Sequence, residues 1–152
     1  MVLHPNDIVG YQGIDYLVEG VLDYSLAESS IRLACITGNG QLRFLELPAT
    51  SLADRLLVLA AIDGIDIDPP PPDTIYHHGE SYLLRLSGSA QVAITGNVPG
   101  RQPGACMLWR YRAAGGQFLQ IEQWPDALRI LAGTSVHPSM LEMRPDPTES
   151  RG

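Results

Sequence analysis

The pattern that most restricts this chain is a phrase used twice. Residues 11–20 read YQGIDYLVEG and residues 76–88 read YHHGESYLLRLSG. Each sets a Tyr ahead of a Gly, then a second Tyr three residues past that Gly, then aliphatics: Tyr11, Gly13 and Tyr16 in the first, Tyr76, Gly79 and Tyr82 in the second. A Gly between two strand-like runs marks a tight turn, and the second Tyr can fold back over it. The echo continues downstream. GNGQLRFLELP ends at Pro48 and AGGQFLQIEQWP at Pro125; in both, a Gly-Gln step opens a strand that closes on Pro. The chain therefore reads as two related β units, residues 1–67 and 74–143.

Between the units stands DPPPPD, residues 68–73. Four consecutive prolines favour the extended polyproline II shape and cannot sit inside a sheet. No basic residue flanks them to orient an SH3-type ligand, so a rigid spacer is the expected role. Residues 144–152 are polar, carry two prolines, and read as a disordered tail.

The rest of the pattern is that of strands. DYLVEGVLDY, SIRLACIT, QLRFLEL, SYLLRL, QVAIT, CMLWRYR, QFLQIEQW and ALRILAG are short, rich in aliphatic, aromatic and β-branched residues, and bounded by turn formers. Hairpin signals fall at GNG (38–40), AAGG (113–116) and WPD (124–126). SLADRLLVLAAID (51–63) is ambiguous: Ser51 and Asp54 resemble a capping box, while Leu56–Ala60 suits a strand. The expected fold class is all-β: two SH3-like or small-barrel halves packed into one globule, with one short helix near 51–61 as the open alternative.

The chain's 152 residues suit a real core without staples. Its charge of −7 lies in the first 68 residues, which hold ten acids and three arginines; the remainder balances seven against seven. An acidic chain repels phosphate, which argues against nucleic acid and anionic lipid as partners. The ten basic residues are all Arg. No run reaches the roughly 20 apolar residues of a membrane span, and the N-terminus lacks the pattern of a signal peptide. A cytoplasmic protein with reduced thiols is expected. Cys35 and Cys106, far apart and set in apolar runs, read as buried free thiols.

The second unit, with Gly79 and Tyr82, Gly96 and Pro99, Trp109 and Tyr111, Glu122 and Trp124, and Gly133, resembles a bacterial family known as domain of unknown function 4178. The first unit is similar through Gly13, Tyr16 and Gly20, and carries ESSIRLA at 28–34 where the family pattern has a Trp and an acid. The family has no established activity. Its members tend to be encoded near small membrane proteins, a phage-shock-like stress protein and a spermidine-synthase-like protein. The resemblance thus implies an accessory role in a bacterial membrane or envelope stress system, with a membrane protein or stress protein as partner.

No catalytic, metal or cofactor signature is present. His77 and His78 are strand neighbours that point to opposite faces, and His4 and His137 lie far away. Cys106 with His77 or His137 lacks the electropositive setting of a catalytic thiol, and SGSA (87–90) lacks the frame of a nucleophile elbow. The glycine-rich loop TGNVPGRQPG (95–104) can form an anion nest assisted by Arg101. The strand FLQIEQW offers the strongest binding candidate. If Leu119 and Ile121 face the core, Phe118, Gln120, Glu122 and Trp124 present an exposed face. If both faces are covered, Glu122 is expected to pair with Arg110 or Arg112. The structural turn and core residues are Gly13, Tyr16, Gly79, Tyr82, Trp109 and Tyr111. The leading expectation is a non-catalytic protein-interaction module. The alternative is a small-molecule binder or weak enzyme with a pocket between the halves, its deep cavity lined by His77, Glu122 and Arg110. A homodimer through an exposed edge strand is a third expectation.

Overall fold

The computed structural model describes residues 3–47 and 55–146. It is almost entirely β, with eleven strands: β1 (Ile8–Tyr11), β2 (Ile14–Ser25), β3 (Ser30–Gly38), β4 (Gln41–Leu47), β5 (Leu56–Ala61), β6 (Thr74–His77), β7 (Glu80–Gly96), β8 (Gly104–Ala113), β9 (Gln117–Gln123), β10 (Leu128–Val136) and β11 (Leu141–Arg144). Of the ambiguous segment, residues 56–61 are strand. Ser51 and Asp54 lie outside the described residues.

The turns follow the sequence signals. Gln12 and Gly13 (φ 51° and 78°) join β1 to β2, and His78 and Gly79 (50° and 78°) join β6 to β7 with the same backbone. Positive φ at both central residues matches the right-handed strand twist, so these hairpins close in two residues. Asn39-Gly40 closes β3–β4 the same way. A short 3-10 turn over Ala114–Gly116 joins β8 to β9. At the β9–β10 turn, the Trp124 N–H donates to Ala127 O at 2.8 Å.

Eight strands close into a barrel in the order β2-β3-β4-β5-β10-β9-β8-β7, with β7 returning to β2. The all-β expectation holds, and the barrel is one structure shared by both units. Each contributes four strands, and the closing seams, β2–β7 and β5–β10, both run between units. β2 and β7 are long enough, at 12 and 17 residues, to serve two neighbours along their length. Beyond the barrel, β1 and then β11 extend the sheet beside β2, and β6 extends it beside β7. A bulge interrupts β2 between Val18 and Gly20, and another interrupts β7 between Leu84 and Leu86.

Alternation along the strands sorts side chains into three clusters. Leu22, Leu33, Phe44, Leu59, Leu108 and Leu131 fill the barrel. Outside it, Val9, Tyr16, Ile36, Leu45 and Val58 form a cluster on the first unit, overlaid by Leu3, Leu141 and Met143. Ile75, Tyr82, Trp109, Tyr111, Leu119 and Ile121 form its counterpart on the second, overlaid by Ile62, Ile65 and Ile67. Burying each large aliphatic is worth about 1.5–3 kcal/mol.

The proline run leads into β6 and is tied to the wall. Pro71 is buried, the Tyr111 hydroxyl donates to Pro72 O at 2.8 Å, and the Leu84 N–H donates to Asp73 O at 2.8 Å. At the other end, Arg144 is the last residue of β11, opposite Ile8. Residues 147–152 of the expected tail lie outside the described residues.

Candidate functional site

β9 sits between β8 and β10 in the barrel wall. Its alternation sends Leu119 and Ile121 outward into the second unit's outer cluster and turns Phe118, Gln120 and Glu122 inward. The exposed face expected of Phe118, Gln120, Glu122 and Trp124 is therefore corrected. Gln120 and Glu122 have no accessible surface, and Phe118 and Trp124 are half-buried against the interior cluster. Period-2 patterning separates two faces but does not say which one is covered; here closure covers one and the 62–73 segment the other.

Both oxygens of the buried Glu122 carboxylate are occupied. Oε1 accepts from Arg101 Nη1 at 2.8 Å and from Trp124 Nε1 at 2.8 Å. Oε2 accepts from the Tyr24 hydroxyl at 2.7 Å and from Gln120 Nε2 at 2.6 Å. A buried charge is tolerated when an opposite charge and donors replace the lost water, as they do here. The pairing of Glu122 with Arg110 or Arg112 is likewise corrected. Its partner is Arg101, which comes from the β7–β8 loop with its side chain 4% exposed, over the rings of Phe44 and Trp124 at 5.4 and 6.0 Å.

The network continues along the barrel. Arg110 donates to Gln120 Oε1 and forms an ion pair with Glu46, while Arg112 is exposed and lies over the Phe118 ring at 5.7 Å. Two acids and two arginines alternate with a Gln and a Tyr, so the set carries no net charge. Burial, and then the Glu122 charge, pushes the Tyr24 phenol well above its ordinary value, so Tyr24 remains a donor.

Arg101 and Glu122 are thus brought together, with Phe118 and Trp124 on the same interior face. Tyr24, Gln120 and Glu46 complete the set. Gln120 was visible on the strand face, but nothing in the local sequence of Tyr24 or Glu46 marks them, because they arrive from β2 and β4. Tyr16 and Tyr82 are buried beside their turns, and Trp109 and Tyr111 in the outer cluster. Arg101 is held by Glu122 through Nη1 and also lines the cavity that the glycine-rich loop helps to form.

A cavity of about 520 Å³ opens beside Trp124, lined by Asn97, Arg101, Gln102, Asp126 and Arg129 among others. All its lining residues belong to the second unit, and His77, Glu122 and Arg110 are not among them. Cys35 and Cys106 face the barrel interior; burial, the first cause for each, pushes their thiols up to about 11 and about 12. His77 and His78 touch edge to face at 4.0 Å, since His78 occupies the turn rather than the strand. His137 caps the short 3-10 turn before β11 by accepting from the Ser139 N–H. Neither histidine is joined to Cys106. Among the described residues, no three His, Cys, Asp or Glu side chains gather as a metal would require, and no helix is long and apolar enough to cross a membrane.

These features define a closed eight-stranded barrel built from strands on both sides of the proline run, with a buried ionic network in its interior. The chain matches the family described as Domain of unknown function (DUF4178) over residues 4–138, and it belongs to that family. No curated protein and no solved structure matches it.

Proposed function

We propose that this protein is a non-catalytic protein-interaction module, cytoplasmic, and accessory to a bacterial membrane or envelope stress system. One observation carries the reading. The only acid at full depth in the described barrel already takes four donors, leaving it no free lone-pair direction toward a substrate, while Tyr76 (78% exposed) and Leu83 (52%) stand in the open. A catalytic base needs reach to a substrate; an interaction module needs an exposed, partly apolar face. The setting in membrane stress comes from the family's gene neighbours.

We also propose that the two units are copies of one ancestral SH3-like unit. Matching turns at Gly13 and Gly79, matching bulges at Val18/Gly20 and Leu84/Leu86, and the bonds from Val18 N to Asp7 O and from Leu84 N to Asp73 O support it.

The test is affinity purification of the wild-type protein from its host with quantitative mass spectrometry. A membrane or stress protein recovered in near-stoichiometric amount is expected. Recovery of the protein without any stoichiometric companion would count against the module. The small-molecule alternative draws on the cavity beside Trp124. A saturable change in Trp124 emission with a host metabolite extract, lost in Arg129→Ala, would favour that reading instead.

A further inference from the structure

We infer that the outer edge of β6 receives an extended strand from a partner protein, paired antiparallel, with an apolar residue set against Tyr76. This rests on the interaction-module reading and names its docking edge.

The chain carries two hairpin edges of the same bonding phase. In a hairpin with a two-residue turn, the residues flanking the turn exchange hydrogen bonds, and every second pair does so again. In β1–β2 the bonded pairs are Tyr11 with Ile14 and Val9 with Tyr16, so Gly10 and Ile8 turn their N–H and C=O groups outward. In β6–β7 the bonded pairs are His77 with Glu80 and Ile75 with Tyr82, so Tyr76 and Thr74 turn theirs outward. The 2.8 Å bonds from Val18 N to Asp7 O and from Leu84 N to Asp73 O fix the same phase in both hairpins.

The first edge is filled. β11 pairs with it, Glu142 opposite Gly10 and Arg144 opposite Ile8, with Leu141 and Met143 against the outer cluster. On the second edge no described strand pairs with β6, and no described backbone bond reaches its outer side. A row of unpaired backbone groups is a template for strand addition.

β11 shows what such an edge takes: a short extended segment with apolar residues at alternate positions. Side chains refine the choice. Gly10 leaves room for Glu142, which is exposed, whereas Tyr76 on the second edge and Leu83 beside it on β7 present apolar surface. A second copy fits less well. The four residues of β6 are a short edge on which to seat a whole second barrel, whereas an extended segment can follow that edge alone, as β11 follows β1.

The probe is a fluorescein-labelled peptide of residues 139–146 carrying Glu142→Leu, titrated into the whole protein up to millimolar concentration. Fluorescence anisotropy is expected to rise and saturate, and the Thr74 and Tyr76 amides are expected to gain hydrogen-exchange protection. Tyr76→Pro removes the outward N–H and is expected to weaken binding at least about tenfold. Tyr76→Ala keeps the N–H, so it retains measurable binding and guards against simple misfolding. Absence of binding, or protection at Ile8 and Gly10 instead, overturns the inference. A wild-type dimer that Tyr76→Pro converts to monomer also overturns it, by assigning the edge to a second copy. If the host companion of the wild-type protein survives Tyr76→Pro, the module stands and this docking edge falls.

Discussion

The β3–β4 and β8–β9 hairpins hold matching places in the barrel wall, yet they line it differently. Cys35 stands opposite Phe44 in the first, and Arg110 opposite Gln120 in the second. At the next position on the same face both place an acid, Glu46 opposite Leu33 and Glu122 opposite Leu108. Glu122 is fully buried and holds four donors, while the Glu46 side chain is 25% exposed and meets Arg110 alone among described partners. The same residue at matching places thus carries different energetic weight, because burial sets how much a lost partner costs. The ionic set also crosses between units. Glu46 reaches Arg110 of the second, and Tyr24 of the first reaches Glu122, so the network locks the shared barrel as the two seams do.

The largest effect that tests this contrast is loss of the acids. Glu122→Ala strands Arg101, Tyr24, Gln120 and Trp124 together and is expected to cost about 3–5 kcal/mol in urea unfolding. Glu46→Ala, nearer to water, is expected to cost about 1–3 kcal/mol. Equal losses would break the contrast.

The next effect is alkaline. Burial raises the thiol of Cys35 from its ordinary 9.0 to about 11 and that of Cys106 from 9.0 to about 12. It raises Tyr111 from 10.0 to about 12 and Tyr24 well above 10.0. A raised folded pKa means that the unfolded chain releases its protons first. The stabilisation is complete below about pH 9 and drains away as pH climbs through the folded values, with a loss of about 3–4 kcal/mol expected by pH 10. Chemical denaturation from pH 7 to 10 measures it. Cys35→Ala and Cys106→Ala divide the thiol share between the units, and a pH-independent stability would contradict the burial.

A smaller effect probes the β5–β10 seam. Gly133 pairs with Leu59, and Ala61 pairs with Leu131 at the matching place. A Cβ at Gly133 would collide with Val58 O and stand 2.8 Å from the Leu59 Cα, whereas Ala61 is exposed. Gly133→Ala is expected to cost about 1–3 kcal/mol, while Ala61→Gly should cost well under that; thermal unfolding of both decides whether the seam is lopsided. The smallest effect is at Tyr111→Phe, which frees the proline run from its hydroxyl donor. It is expected to cost about 0.5–1.5 kcal/mol and to raise hydrogen exchange at Leu84 before elsewhere.

Much of the architecture was legible locally. Gly13 and Gly79 announced turns because only certain residues tolerate positive φ, and alternation along β9 separated Leu119 and Ile121 from Gln120 and Glu122. Gly20, Gly96 and Gly133 stood out in the family pattern; their reason is tertiary, since a Cβ at each would strike a neighbouring strand or loop backbone. The site was half legible. Glu122, Trp124 and Arg101 were visible as candidates, but their burial, and the arrival of Tyr24 and Glu46, came from strands distant in sequence.

Turn chemistry and period-2 alternation act between neighbours, so the sequence by itself determined an all-β chain of hairpins in two similar runs. Closure into one barrel, the identity of its interior face and the pairing of Glu122 with Arg101 required the tertiary structure. They depend on which edges meet, and edge-to-edge hydrogen bonding is set by register across the whole sheet rather than by any local run of residues.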